Sequence, residues 1–213
     1  MTTRSPSRRL VLGALASLPS LAGCSTSPTP KLYTLAPRPA TPVSRSATAG
    51  SGSTAPASRA AMTVMVRQVE VAKYLDRPQI VRYSDAYEMS ASEFERWGEG
   101  LSDMVTRVLV ENLSQRLPAS QVYAASGPLN LPSADVTVEV NIYKFDADPG
   151  RTVILAAQWV VHSGSGRKAQ DHLRAREFRI APTSSDTAAQ VAAMSDALGQ
   201  LADQIAGSLP ISG

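Results

Sequence analysis

The sequence is poorest in the residues that form disulfides and metal sites. Its 213 residues include one cysteine and two histidines, and aromatic residues make up only 5% of the chain. A lone cysteine cannot form an internal disulfide, and a protein zinc site needs three or four ligands that are mostly Cys and His. The sequence also lacks a phosphate-binding loop, a dinucleotide glycine fingerprint, a Gly-x-Ser-x-Gly turn and a His-Glu-x-x-His motif. We therefore predict a protein that is not an enzyme, with no catalytic residue and no metal ligand.

Neither sign of charge dominates the chain once its N-terminus is set aside. The 21 Lys and Arg residues outnumber the 18 Asp and Glu residues, but three arginines lie within the first 23 residues, which contain no acid. The rest of the chain is thus close to neutral and has no basic run, whereas a nucleic-acid partner requires clustered basic residues. No nucleic-acid partner is predicted.

Long hydrophobic runs are absent too. Spanning a bilayer takes about 20 apolar residues, and the most apolar stretch of the chain, Val153 to Val161, is short and interrupted by Gln158. We predict a buried strand there, with Trp159 in the core.

The one cysteine stands where a bacterial lipoprotein signal requires it. Cys24 ends the sequence Leu21-Ala22-Gly23-Cys24, after a basic start and a short apolar segment, Leu10 to Leu18. This pattern predicts a signal peptide over residues 1–23 that is removed, leaving Cys24 to receive diacylglycerol and a fatty acyl chain. The acyl groups are the one covalent addition expected, and no other cofactor is predicted. An unpaired cysteine that follows an ordinary secretory signal by chance is the alternative.

The residues around the signal also bear on export and destination. Ser7-Arg8-Arg9-Leu10 is compatible with a twin-arginine signal as well as with the general secretory route, so the route stays open. Ser25 follows the cysteine where an Asp would favour retention at the inner membrane. We therefore expect a lipid anchor in the outer membrane, on its periplasmic face.

Behind the signal, we expect a lipidated tether over residues 24–30 and a single domain over residues 31–213. A short strand-like segment, Lys31 to Leu35, precedes a stretch rich in Ala, Ser, Thr, Pro and Gly at about residues 36–61. Such a composition predicts a flexible segment. It is either a spacer that lifts the domain off the membrane or a loop within one domain.

Periodicity in the remaining chain predicts a mixed α/β (α+β) fold. Alternating segments predict strands at 62–68, 78–83, 121–123, 136–143, 152–161 and 171–180, with a turn at Asp146 to Gly150. Ser90 to Glu93 has capping-box spacing and predicts the start of a helix. Two apolar stripes predict the principal helices: Leu101, Val105, Leu109, Leu113, Leu117, and Val191, Met194, Leu198, Leu201, Ile205. We expect both helices to pack on one mixed, largely antiparallel sheet.

Several segments resemble the PqiC-type auxiliary lipoproteins of ABC-type and MCE-protein transport systems. The most specific is Tyr74-Leu75-Asp76-Arg77-Pro78-Gln79-Ile80-Val81. It is accompanied by Glu93-Phe94-Glu95-Arg96-Trp97, Leu109-Val110-Glu111-Asn112-Leu113, Lys31 to Leu35, and Lys144-Phe145-Asp146 followed by Trp159. In that family the Tyr-x-Leu segment belongs to the folded domain, which favours the loop over the spacer for residues 36–61.

The resemblance implies a non-catalytic subunit of an envelope transport system. Such a subunit would be a homo-oligomer that holds the far end of an MCE-domain tunnel protein at the outer membrane. The tunnel protein and its membrane permease system are the implied partners, and the cargo would be lipids or other hydrophobic molecules. Candidate partner contacts are Tyr74, Asp76, Arg77, Gln79, Arg96 and Trp97. Trp97 is alternatively a core anchor between helix and sheet. The alternative function is a direct periplasmic lipid carrier with its own apolar cavity.

Overall fold

The computed structural model describes residues 28–40, 61–125, 133–148, 150–164 and 172–210. The predicted signal peptide, Cys24 and residues 41–60 of the predicted loop lie outside these ranges. The described chain forms nine strands and two helices. In order they are β1 (Lys31–Tyr33), β2 (Thr63–Val66), β3 (Glu70–Val71), β4 (Gln79–Tyr83), β5 (Met89–Trp97), α1 (Leu101–Arg116), β6 (Gln121–Ala124), β7 (Val136–Ala147), β8 (Val153–Ser163), β9 (Arg174–Ile180) and α2 (Thr187–Ser208).

Strand β7 is the centre of the sheet. Its 12 residues pair with antiparallel β8 from Val136↔Ser163 to Ala147↔Val153. Its other edge pairs in succession with three short parallel strands: β2 near the start of β7, β3 at Asn141 and Ile142, and β4 at Ala147. One long strand therefore sets the register of four neighbours.

The rest of the sheet extends on both sides of β7. Beyond β4 lie β5 and the edge strand β1, β6 lies beyond β2, and β9 pairs with β8. The long pairings β7–β8, β8–β9 and β4–β5 are antiparallel, whereas the short strands β1, β2, β3 and β6 make parallel pairings. The predicted mixed sheet with two packed helices is confirmed.

Both predicted apolar stripes are buried. Every member of the α1 stripe and of the α2 stripe is at most 6% exposed, and the two helices join the sheet residues in one hydrophobic core. Helix α2 also buries the small residues Ala193, Ala197, Gly199 and Ala202, which permits close packing. Trp159 is buried as predicted, and its indole N–H donates to Oγ of Ser208 at 3.3 Å.

The prediction that a helix starts at Ser90 is wrong. Residues 89–97 form strand β5, and Ala91 pairs with Val81 across the β4–β5 hairpin. Oγ of Ser92 accepts a hydrogen bond from the N–H of Phe94 within the strand, not from a helix N-terminus. The capping-box spacing was not followed by an apolar helical stripe, so strand pairing with β4 outweighed the local signal.

The segment after β1 packs between the two helices. Leu35 is 1% exposed, and the N–H of Ala36 donates to Oγ of Ser195. The N–H of Arg38 donates to Oδ1 of Asn112 at 2.6 Å, and its guanidinium pairs with Asp196 at 2.7 Å. The flexible segment predicted from residue 36 therefore starts too early, because Ala36 and Arg38 are hydrogen-bonded to the helices.

Arg116, at the end of α1, holds this junction together. Its guanidinium donates to Asp203 at 2.6 Å, to the carbonyl of Gly199 at 2.9 Å and to the carbonyl of Arg38 at 3.1 Å. The Arg116 side chain is only 4% exposed. A single buried cation thus joins α1, α2 and the 34–40 segment.

No helix within the described ranges is long and apolar enough to cross a membrane.

Arg116→Met should destabilise the domain strongly. Methionine keeps the apolar part of the side chain but removes the hydrogen bonds that Arg116 donates to Asp203 and to the carbonyls of Gly199, Arg38 and Asn112. Removing one partner of a buried ion pair costs about 3–5 kcal/mol, and because Asp203 is partly exposed we expect about 3 kcal/mol. Urea unfolding followed by circular dichroism measures the loss.

Arg67→Met is the matched control, because Arg67 pairs with Glu139 at 3.0 Å and both side chains are exposed. An exposed pair contributes less than about 1 kcal/mol. Equal losses in the two variants would show that Arg116 does not stabilise this junction.

Candidate functional site

The segment most specific to the resemblance forms a tight turn followed by β4. The N–H of Leu75 donates to the carbonyl of Ala72 at 2.9 Å, and the N–H of Arg77 donates to the carbonyl of Leu75 at 2.8 Å. Leu75 is 3% exposed and anchors the turn in the core. The turn therefore holds Asp76 and Arg77 at the surface, where both are exposed.

Two of the predicted contact residues are direct neighbours across the β4–β5 hairpin. Gln79 and Arg96 are register partners. Glu93 links them: it accepts from Nε2 of Gln79 at 3.1 Å and pairs with the Arg96 guanidinium at 2.8 Å. We call the group Asp76, Arg77, Gln79, Glu93 and Arg96 the motif surface.

Glu93 was not among the predicted contacts. Its role depends on a bulge in the hairpin, where β4 advances from Gln79 to Val81 while β5 moves from Arg96 back to Ala91. The extra β5 residues bring Glu93 beside Gln79. No sequence signal indicated a bulge at this point.

Two exposed apolar side chains lie on the strands next to the motif surface. Leu32 on β1 is the register partner of Arg96 and is 68% exposed, and Phe94 on β5 is 46% exposed. Protein interfaces combine an apolar centre with a polar rim, and Leu32 and Phe94 beside the motif surface supply both kinds of group.

Trp97 and Tyr74 have different surroundings from the rest of the predicted set. Trp97 is 6% exposed, and its backbone N–H donates to the carbonyl of Pro78 at 2.7 Å. Its burial matches the alternative interpretation, a core anchor. Tyr74 is half-buried, and its hydroxyl donates to Oδ2 of Asp146 at 2.5 Å.

Asp146 is a buried carboxyl that the sequence did not reveal. We predicted it in a turn, but β7 continues through Ala147 and Asp146 is fully buried. A bulge between Ile142 and Lys144 shifts the alternation of the strand, so that Phe145 enters the core and Asp146 points to the opposite side, toward Tyr74.

Both Tyr74 and Asp146 have pKa values above their ordinary values. Burial raises the pKa of Asp146 above its ordinary 3.8, although the hydrogen bond from Tyr74 and the charge of Lys144, 3.9 Å away, act in the opposite direction. Burial and the neighbouring Asp146 raise the pKa of Tyr74. Tyr74 therefore stays a neutral donor. The pair fastens the motif turn to β7.

A second polar network joins the hairpin to the start of α2. The Arg82 guanidinium donates to Glu95 at 2.8 Å and to Gln190 and Thr187 at 2.5 Å, and Thr187 donates in turn to Glu95. Burial acts to raise the pKa of Glu95, but the hydrogen bonds from Thr187 and Arg82 outweigh it and hold the pKa below 4.5.

This network borders an open cleft of about 640 Å³. Lys31, Ser84, Asp148, Arg151 and Ser184 are among its lining residues. The lining is more polar than apolar and carries charges of both signs, which suits water better than acyl chains. Among the described residues, no group of three or more His, Cys, Asp or Glu side chains is placed to hold a metal ion.

Comparison with known families gives the context of these residues. Residues 33–206 match the family described as the ABC-type transport auxiliary lipoprotein component. The chain belongs to this family. The matched range includes the motif turn, β4, β5, α1 and nearly all of α2, so the residues of the motif surface lie within the part of the chain that the family model covers.

Curated relatives support the same assignment. The chain is 29% identical over 160 residues to the intermembrane transport lipoprotein PqiC of Escherichia coli (strain K12), covering 75% of each chain. The match to PqiC of Shigella flexneri has the same identity and coverage.

Solved structures share the fold. The crystal structure of an uncharacterized protein aligns with a TM-score of 0.65 at 20% identity, covering 86% of this chain and 100% of that one. A crystal structure of a Xanthomonas campestris protein aligns with a TM-score of 0.60 at 17% identity, covering 83% and 93%. At these identities, the likeness concerns the fold alone.

Asp146→Asn should flatten the dependence of stability on pH. Since the folded-state pKa of Asp146 is raised, the stability gained by protonating it is full below the ordinary pKa of 3.8 and is lost as the pH rises through the folded-state value. Asparagine does not titrate, so this contribution disappears. Urea unfolding midpoints at a series of pH values from 4 to 8 measure the change.

The control is Glu70→Gln, because Glu70 is an exposed carboxylate on β3. The control should keep the slope of the unaltered protein. An unchanged slope in Asp146→Asn would mean that the burial of Asp146 does not govern its titration.

Proposed function

We propose that this chain is a non-catalytic outer-membrane lipoprotein that docks the periplasmic tunnel of an MCE/ABC-type transport system. The tunnel would carry lipids or other hydrophobic molecules between the two membranes. The chain's membership of the auxiliary lipoprotein family supports a role in transport. The name of the PqiC relatives, intermembrane transport lipoprotein, supports a role between membranes.

The main support for the docking role is the exposed motif surface. It combines an ordered polar group, in which Glu93 holds Gln79 and Arg96, with the exposed apolar side chains of Leu32 and Phe94. Ordered side chains lose little conformational entropy when a partner binds, and Arg with aromatic residues is common in binding hot spots. A surface built this way favours binding a protein, in our proposal the MCE-domain tunnel protein and through it the permease.

The position of the motif surface also favours docking. It lies at the Gln79 end of the β4–β5 hairpin, whereas the hairpin turn lies beyond Tyr83 at the other end. The chain upstream of β1 points toward the turn end, because β1 runs parallel to β5. An acyl anchor on Cys24 would therefore hold the turn end toward the membrane and leave the motif surface facing the periplasm. In our proposal the lipoprotein does so as a homo-oligomer.

The interior favours docking over the alternative of a lipid carrier. The space between helices and sheet is filled by side chains that are completely buried, such as Val64, Val108, Leu155 and Leu198. The cleft beside α2 has a charged lining. Neither place suits an acyl chain, which needs an apolar cavity.

Arg77→Ala should weaken binding to the MCE-domain protein of the same bacterium. Arg77 is exposed at the motif turn, so its loss should leave the fold intact while removing a charged contact. We expect the dissociation constant to rise on the order of tenfold, about 1.4 kcal/mol. Biolayer interferometry with both purified proteins measures the change.

Arg67→Ala is the matched control, since Arg67 is an exposed arginine on the chain outside the motif surface. It should bind as the unaltered protein does. Docking through the motif surface is excluded if Arg77→Ala and Glu93→Ala both bind normally while circular dichroism shows intact folding.

Cys24→Ala should release the folded domain from the membrane and abolish its function in the cell. Without the thiol, no acyl chain can be attached, and acylation is the anchor that we propose. Fractionation of envelopes together with a detergent-sensitivity assay measures both effects. Full activity from the released variant would contradict a tethering role.

A further inference from the structure

Tyr87 is the most exposed large hydrophobic side chain of the described residues. It lies in the β4–β5 turn and is 98% exposed, and Met89, two residues later, is 48% exposed. The turn is nevertheless ordered by hydrogen bonds. Oδ1 of Asp85 accepts from the N–H groups of Tyr87 at 2.7 Å and Glu88 at 2.8 Å, and the N–H of Ser84 donates to the carbonyl of Glu88 at 2.9 Å.

Such a turn exposes apolar surface at a cost in hydration, and it does so on a fixed backbone. A Tyr ring has an apolar body and a polar tip, a combination suited to the boundary between headgroups and acyl chains. We propose that Tyr87 and Met89 form a leaflet-contact tip, which rests on the membrane beside the acyl anchor and sets the orientation of the domain. This inference rests on the acylation of Cys24 in the proposed function.

The chain upstream of β1 runs toward the β4–β5 turn. Strand β1 runs parallel to β5, with Lys31 opposite Glu95 and Leu32 opposite Arg96. Since β5 runs from Met89 at the turn to Trp97 at the far end, the chain before Lys31 heads toward the turn. Lys31 and Ser84 also line the same cleft, so the start of β1 and the turn border one opening.

The tether is long enough for the anchor to reach the level of the turn. Strand β4 covers the distance between the Arg96 level and the Met89 level in four residue steps, from Gln79 to Tyr83. This distance is about 14 Å at 3.4 Å per residue. The seven residue steps from Cys24 to Lys31 span at most about 25 Å. The anchor can therefore reach the level of the turn without full extension of the tether.

The conformational entropy of the tether favours contact between the turn and the leaflet. The greatest span of the tether exceeds the distance to the turn by only about 11 Å. Lifting the turn off the leaflet uses up this excess and leaves the tether progressively fewer conformations. Contact between the turn and the leaflet removes this cost and buries the exposed ring of Tyr87.

The charges near the turn indicate which kind of lipid contact to expect. Asp85 and Glu88 lie in the turn, and the nearby cleft carries both signs, with Lys31 and Arg151 beside Asp148 and Asp186, so the described residues around the turn form no basic cluster. Attraction to anionic headgroups would need a basic cluster. We therefore expect apolar insertion that works equally on zwitterionic lipid.

Fluorescence quenching in vesicles tests the tip. The acylated full-length protein, its acylation verified by mass, is reconstituted into phosphatidylcholine vesicles in which part of the lipid carries bromine on the acyl chains. In Tyr87→Trp, the new indole should be quenched severalfold more than in the control and should emit at a shorter wavelength. Met89→Trp should also be quenched. Adding phosphatidylglycerol should leave the quenching unchanged.

Leu173→Trp is the matched control. Leu173 is 65% exposed and precedes β9, whose first residue pairs with Trp159 far along β8 from the turn end. Trp97 and Trp159 are buried and contribute the same background to every variant. All three substitutions are at exposed positions, so folding should be preserved.

Equal quenching in Tyr87→Trp and Leu173→Trp would overturn the leaflet-contact tip. A blue shift of Tyr87→Trp that occurs in the absence of lipid vesicles and grows with protein concentration would also overturn it, because it would assign the turn to a contact between copies. The vesicles contain no partner protein. A failure here therefore leaves docking through the motif surface intact, and a failure of the Arg77→Ala test leaves the tip intact.

Discussion

The backbone ladder of β7 is the constraint on which the structure depends. Its 12 residues bond to β8 along one edge and to β2, β3 and β4 in sequence along the other. Buried peptide groups must be paired, so the long strand fixes where three short strands can lie. Because β4 is one of them, β7 also fixes the hairpin that carries the motif surface at one end and Tyr87 at the other.

The segment that identifies the family serves two physical purposes. Leu75 and Trp97 are buried, and Tyr74 bonds to the buried Asp146, so these residues fix the turn. Asp76 and Arg77 are held at the surface by that turn. A sequence motif of this kind therefore mixes residues that stabilise the fold with residues free to contact a partner, and burial separates the two groups.

Buried charge fastens the other parts of the domain. Arg116 joins both helices to the 34–40 segment, and Arg82 joins the hairpin to the start of α2. In a chain whose described part owes nothing to disulfides, these clamps complement apolar packing. They also hold β1, and with it the exit of the tether, in a fixed relation to the hairpin.

The sequence by itself determined the fold class, both helices, the buried strand with Trp159 and the family, because each depends on a periodic pattern or a contiguous motif. The lipoprotein signal is a contiguous motif too, and it stays a prediction. Only the tertiary structure decided that residues 90–93 are strand, that Asp146 is buried, and that Glu93 joins Gln79 to Arg96. Those outcomes depend on strand pairing and on two bulges, which arise between segments distant in the chain and leave no local periodic signal.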